Sequence, residues 1–192
     1  MKNQPLLAAA ILSLLGCNEP AATSSEPQPT RTHRLGVLEV KVPANWKASP
    51  EEQRARLAAA AVRRDPGASA AVLALSVGDS KAPALTLMTM EQTAEYSKSM
   101  GTVRDALETM ETAMREGAAT RGAALDFEGT CATTSCDILY QMGPTGARQR
   151  IWRVKGRFHS AGFTCAGEEG CAAMLKASLP AVSRDADSVD MR

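Results

Sequence analysis

The chain has 192 residues, with 22 basic and 21 acidic side chains, a formal net charge of +1 and only 4% aromatic residues. Near-neutrality argues against nucleic acid as a partner, because binding a phosphate backbone takes a surplus of Lys and Arg, and against a polybasic membrane patch. With so few rings, Leu, Val, Ala and the nine Met must fill much of any core.

The first residues, Met1-Lys2-Asn3-Gln4-Pro5, carry one basic side chain and lead into a weakly polar to apolar run from Leu6 to Gly16. That run is too short for a membrane-spanning helix, which takes about 20 apolar residues. It has the length of a signal-peptide h-region and closes on small residues. The tetrad that follows, Leu14-Leu15-Gly16-Cys17, resembles the lipobox of bacterial lipoproteins. The resemblance implies that residues 1–16 are a signal peptide and that Cys17 is acylated and becomes the new N-terminus. A plain secretory signal would instead leave Cys17 as an exposed thiol. Each buried CH₂ adds about 0.8 kcal/mol, so several acyl chains hold the chain to a lipid bilayer that it does not cross. Asn18 after the cysteine leaves inner or outer membrane open. Without the leader the chain carries 21 basic and 21 acidic residues.

Residues 17–34 are rich in Pro, Ser, Thr, Glu and Gln, with Pro20, Pro27 and Pro29. They have too little apolar surface to offset their ordering entropy, so the expectation is a lipidated cysteine followed by a disordered tether with His33 solvated. One domain is expected over 35–182, and a flexible tail over 183–192.

Leu38, Val40 and Val42 alternate with Glu39 and Lys41, the pattern of a half-buried strand. Ser49-Pro50-Glu51-Glu52 reads as a capping box opening a helix that runs to Ala61 and stops at Asp65-Pro66-Gly67. Apolar runs from Ala70 to Val77 and from Ala84 to Met90, joined by a Gly- and Pro-containing loop, predict a β-hairpin. Thr102 and Asp105 then begin a helix in which Val103, Ala106, Leu107, Met110, Ala113 and Met114 form one apolar stripe. The Met110/Met114 pair reads chiefly as core packing, with an adaptable binding groove as the functional alternative. Strands are expected over 124–128, 137–142, 149–154 and 158–165, with turns at Gly143-Pro144-Thr145-Gly146 and Lys155-Gly156, and a closing helix from Ala172 to Leu179.

Setting Cys17 aside leaves Cys131, Cys136, Cys165 and Cys171, an even number suited to an oxidising compartment. The 136 to 165 pairing is disfavoured, because with the turn at Lys155-Gly156 these residues lie at opposite ends of the sheet. Two strand spacings, about 9.6 Å, also exceed the reach of a disulfide. Local pairing, 131 with 136 and 165 with 171, is expected. A metal site is not expected, since neither spacing is C-x-x-C and only His33 and His159 exist to complete a set.

The element order, with Val42-Pro43-Ala44-Asn45-Trp46 as a strand end turning into a Trp and Leu175-Lys176-Ala177-Ser178-Leu179 as a closing helix, is similar to the PsbP-like superfamily. That resemblance implies an α+β fold, a curved antiparallel sheet with helices packed on it, and an accessory or binding role rather than catalysis. No cofactor is expected.

No nucleophile elbow, metalloprotease helix or phosphate-binding loop occurs, and no catalytic residue is assigned. Asp126 and Glu128 share a strand face and, with His159, supply the competing reading of an envelope hydrolase. Arg153, Lys155 and Arg157, beside Trp152, form a candidate anion-binding stripe for an anionic envelope component, with solvated strand charges as the plain alternative. The expected function is a lipid-anchored, non-catalytic binding or accessory module in the cell envelope, facing periplasm or exterior. Its candidate partners are the bilayer, an anionic envelope component or an envelope protein.

Overall fold

A computed structural model describes residues 28–181. The leader, Cys17 and residues 183–192 lie outside the described residues. The first described element falls inside the stretch assigned to a tether. Thr30–Leu35 (β1) pairs with Leu38–Pro43 (β2) as an antiparallel hairpin, so ordered structure starts before residue 35. His33 is therefore not simply solvated: its Nε2 is buried without a hydrogen-bond partner, and burial, aided by Arg31, lowers its pKa.

Trp46–Ala48 (β3), Glu51–Ala61 (α1), Ser69–Val77 (β4) and Leu85–Glu91 (β5) follow, then Ala94–Ser99 (α2) and Val103–Thr120 (α3). The chain continues through Leu125–Cys131 (β6), Ser135–Met142 (β7), Thr145–Val154 (β8) and Arg157–Ala166 (β9) to Gly167–Lys176 (α4). Seven strands form one antiparallel sheet in the order β3-β4-β5-β9-β8-β7-β6. The helical crossover after β5 carries the chain to the far edge, and the meander β6 to β9 returns until β9 docks on β5. The fold is α+β.

Strand alternation gives the sheet two apolar faces. On one, Leu73, Leu75, Leu85, Leu87, Trp152 and Phe163 pack under Leu38, Val40 and Val42 of the β1–β2 hairpin and Met174 of α4. On the other, Cys136, Ile138, Ile151 and Phe158 pack under Val103, Ala106 and Leu107 of α3. The α3 N-terminus forms a full capping box: Thr102 Oγ1 accepts from Asp105 N, and Thr102 N donates to Asp105 Oδ2.

Three local expectations are corrected. The Ser49 box does not form, because Ser49 N donates to Ala74 O of β4 and Pro50 becomes the N-cap without a side-chain cap bond. The short helix α2 was not foreseen. Thr93 Oγ1 accepts from Tyr96 N, while Asp65 accepts from Thr93 N and Oγ1, which fixes six residues too short to show a period. The closing helix starts at Gly167, five residues before the expected Ala172, and ends at Lys176. Gly170, inside this helix, lets α4 touch β5's approach: a Cβ there would lie 1.9 Å from Ala84 O.

Both local cysteine pairs are at bonding distance, 131 with 136 and 165 with 171. The first closes the β6–β7 hairpin and the second ties the end of β9 to α4.

Candidate functional site

The basic stripe does not assemble. The β8–β9 hairpin turns at Lys155-Gly156, both at positive φ (47° and 80°), so Lys155 leaves the strand. Arg153 pairs with Phe158 and Arg157 with Val154, which sends the two arginines to opposite faces. Arg153 donates to Gly101 O at 2.6 Å and lies 5.4 Å from the centre of the Phe158 ring, while Arg157 pairs with Glu91 at 2.7 Å. Arg148 donates to Ala177 O at 2.6 Å, and Arg150 is bidentate to Asp137 and reaches Pro180 O. These two satisfy carbonyls at and beyond the end of α4 that the helix leaves open, so much of the basic run holds the C-terminal segment on the sheet.

The three groups of the hydrolase reading are not brought together either. Asp126 and Glu128 are exposed on the edge strand β6, and His159 is on β9 with β7 and β8 between. Three strand spacings alone are about 14 Å, and His159 is also offset along the sheet, since the register sets Glu128 level with Phe163 and Asp126 level with Cys165. His159 instead stacks on the buried Trp152, ring centroids 5.8 Å apart. Its Nδ1 has no hydrogen-bond partner, and burial lowers its pKa against the opposing pull of Glu91.

What the fold does assemble is a methionine-lined depression beneath α3. Met88 and Met90 project from β5 toward the α3 face, being paired with Gly162 and Ser160 of β9. With Met100, Met110, Ile151 and Phe158 they enclose a cavity of about 90 Å³. Glycine at 162 makes room here, since Gln149 of β8 lies across it, and Gln149 Nε2 sits 3.2 Å from Met110 Sδ. Sharing Gln92, Met100 and Met110, a groove of about 470 Å³ continues along α3, lined also by Arg64, Tyr96, Met114, Tyr140, Met142 and Arg121. Burial raises the Tyr140 phenol pKa.

Among the described residues Met174 is 1% exposed in the core, whereas Met88, Met90, Met100, Met110, Met114 and Met142 are all half-buried and all line this depression. Met110 packs at the margin of the α3 cluster and, with Met114, also forms groove wall. Met88 and Met90 carried a sequence signal that went unused. They alternate with Leu87 and Thr89, placing two methionines on the face opposite the leucines. Met100, Met142, Arg64 and Arg121 carried none, because only the crossover brings them together.

No family model and no curated protein matches the chain. Among solved structures, the chain is similar to the solution structure of cyanobacterial PsbP (CyanoP) from Synechocystis sp. PCC 6803, with 9% sequence identity over 74% of this chain and 84% of that chain and a TM-score of 0.35. At that level neither the relative's role nor its residues carry over to this chain.

Proposed function

We propose that the protein is a bacterial lipoprotein, anchored through an acylated Cys17, whose domain is a non-catalytic binding module of the cell envelope acting through the groove under α3. The observation that carries this reading is the groove itself. Flexible, polarisable thioethers leave an apolar surface that can reshape around a ligand, and core methionines would have been as buried as Met174. Two cysteine pairs in one small domain fit an oxidising compartment. No helix among the described residues is long and apolar enough to cross a membrane.

Methionine oxidation footprinting tests it. Peroxide treatment of intact envelopes should oxidise the six groove methionines at least about threefold more slowly than in the purified, ligand-stripped chain, because an occupant shields them. Met174 is the internal control. Equal rates in both settings refute an occupied groove. An intact mass without lipid on a chain beginning at Cys17 refutes the anchor.

A further inference from the structure

The small cavity at the inner end of the groove is floored by rows that cross the sheet. Gln149 of β8 pairs with Gly162 of β9, and Gly162 with Met88 of β5. In the next row Ile151 pairs with Ser160, and Ser160 with Met90. These positions share the α3 face. Gly162 has no side chain, so Gln149 and Met88 stand two strand spacings apart, about 9.6 Å, with nothing projecting between them. Met110 of α3 reaches down to this row, its Sδ 3.2 Å from Gln149 Nε2. Met90 follows Met88 by two residues of strand, about 6.8 Å. Met100, the C-cap of α2, completes the wall, and the four methionines border one cavity of about 90 Å³. His159 also borders it, but lying between Phe158 and Ser160 it turns its ring to the opposite face, where it stacks on Trp152.

The donors that face the cavity are therefore thioethers, and the polar groups beside them, from Gln92, Gln149 and Ser160, are neutral. No carboxylate, ammonium or guanidinium lines it. From this donor set we infer that the cavity binds a soft monovalent cation, Cu(I), through the sulfurs of Met88, Met90 and Met110, with Met100 as a fourth ligand. Thioethers select Cu(I), whereas zinc takes thiolate, imidazole or carboxylate, and calcium and magnesium take oxygen. Among the described residues no group of three or more His, Cys, Asp or Glu side chains is placed to hold a metal ion. The sequence expectation of no metal site weighed only cysteine and histidine. In this domain the four cysteines are paired, which leaves methionine as the soft ligand.

Charge and size point the same way. Neutral ligands leave the ion's charge uncompensated, and the cost of burying it rises with the square of that charge, which favours a monovalent ion. Arg153, 5.4 Å from the Phe158 ring centre and bonded to Gly101 O, repels a divalent ion twice as strongly as a monovalent one. At about 90 Å³ the cavity admits an ion and lies below the roughly 300 Å³ at which pockets for drug-sized ligands begin. Three rotatable bonds let each methionine sulfur swing toward a common centre. The inference deepens the reading of the groove as a binding surface and rests on it.

The test titrates the purified full-length chain, carrying methyl-labelled methionine, with Cu(I) under anaerobic conditions and without added reductant, so that the cysteine pairs stay closed. The methyl resonances of Met88, Met90, Met100 and Met110 should shift together and saturate at one equivalent. Ag(I) should shift the same signals and Zn(II) none. Met88→Leu with Met110→Leu conserves volume and removes two sulfurs. Competition with bicinchoninate should show this variant binding Cu(I) at least about tenfold more weakly, since losing even an outer partner of a metal site costs that much. Met174→Leu, on the other face of the sheet, should leave the affinity unchanged. No shift of the four methyl groups, equal shifts with Zn(II), or undiminished affinity of a folded double variant overturns the inference. If the double variant does not fold, the methyl shifts of the unaltered chain decide. If the methionines are protected in envelopes but the titration fails, another ligand occupies the groove and only the ion is refuted. If they are unprotected and the titration also fails, the binding surface itself is refuted.

Discussion

Replacing Gly162 by alanine inserts one methyl group between β9 and the Gln149 backbone of β8. A Cβ at this position would lie 2.4 Å from Gln149 Cβ, 2.5 Å from Gln149 Cα and 2.6 Å from Arg148 O. Carbon atoms prefer separations of about 3.5–4.0 Å, so β8 would have to retreat by more than about 1 Å. Neither strand can move alone, because Gly162 pairs with Gln149 on one side and Met88 on the other. The clash involves backbone, which a rotamer change cannot relieve, so the expected loss lies at or above the upper end for overpacking, about 3 kcal/mol. For a domain of this size that is a fall in Tm of about 6–12 °C. Gly78→Ala is the comparison. Gly78 has φ 56° and nothing within 4 Å of where a methyl group would sit, so only the left-handed backbone opposes the change, at about 1–2 kcal/mol. Urea and thermal unfolding by circular dichroism, with disulfides intact, measure both. A Gly162→Ala loss no larger than that of Gly78→Ala would refute the close approach. The same variant should also expose Met110 to faster oxidation, since displacing Gln149 breaks its contact with the thioether.

Cys165→Ala with Cys171→Ala opens a short loop and should destabilise the domain by about 2 kcal/mol on the chain-entropy view. It also loosens α4, whose Met174 fills the core, and an unchanged urea midpoint would show that the pair holds nothing in place. Burial is the leading cause that depresses the pKa of both His33 and His159. The neutral rings are favoured in the folded state, so this contribution is whole above the ordinary value of 6.5 and is lost as pH falls through the folded pKa values. Stability should therefore drop between pH 7.5 and pH 5, with a shallower slope in His33→Gln and His159→Gln. Ring proton shifts titrating at or above 6.5 would contradict it.

Much of the fold was legible because its signals are local. Alternation marked β2, Gly and Pro punctuated the β4–β5 hairpin, and Lys155-Gly156 marked the turn between β8 and β9. Thr102 and Asp105 announced α3, and short spacing favoured the cysteine pairs that the fold brings together. Misjudgements came where a distant partner overruled a local preference. The carbonyl of Ala74 takes the Ser49 amide and removes the expected cap, and Ala84 demands a glycine inside α4 at Gly170. Arg148 and Arg150 find their carbonyl partners only once the segment after α4 lies across them.

By itself the sequence determined the course of β2, of the β4–β5 hairpin and of α3, which of their faces are apolar, and which cysteines can meet. Only the tertiary structure decided the site. The β5-to-β6 crossover lays α3 over a sheet in which β9 has returned beside β5, and this sets Met88, Met100, Met110 and Met142 along one depression across separations that no local pattern spans. Side-chain periodicity records which way a residue points from its own element, whereas a groove is set by which element ends up opposite, and that depends on long-range strand pairing.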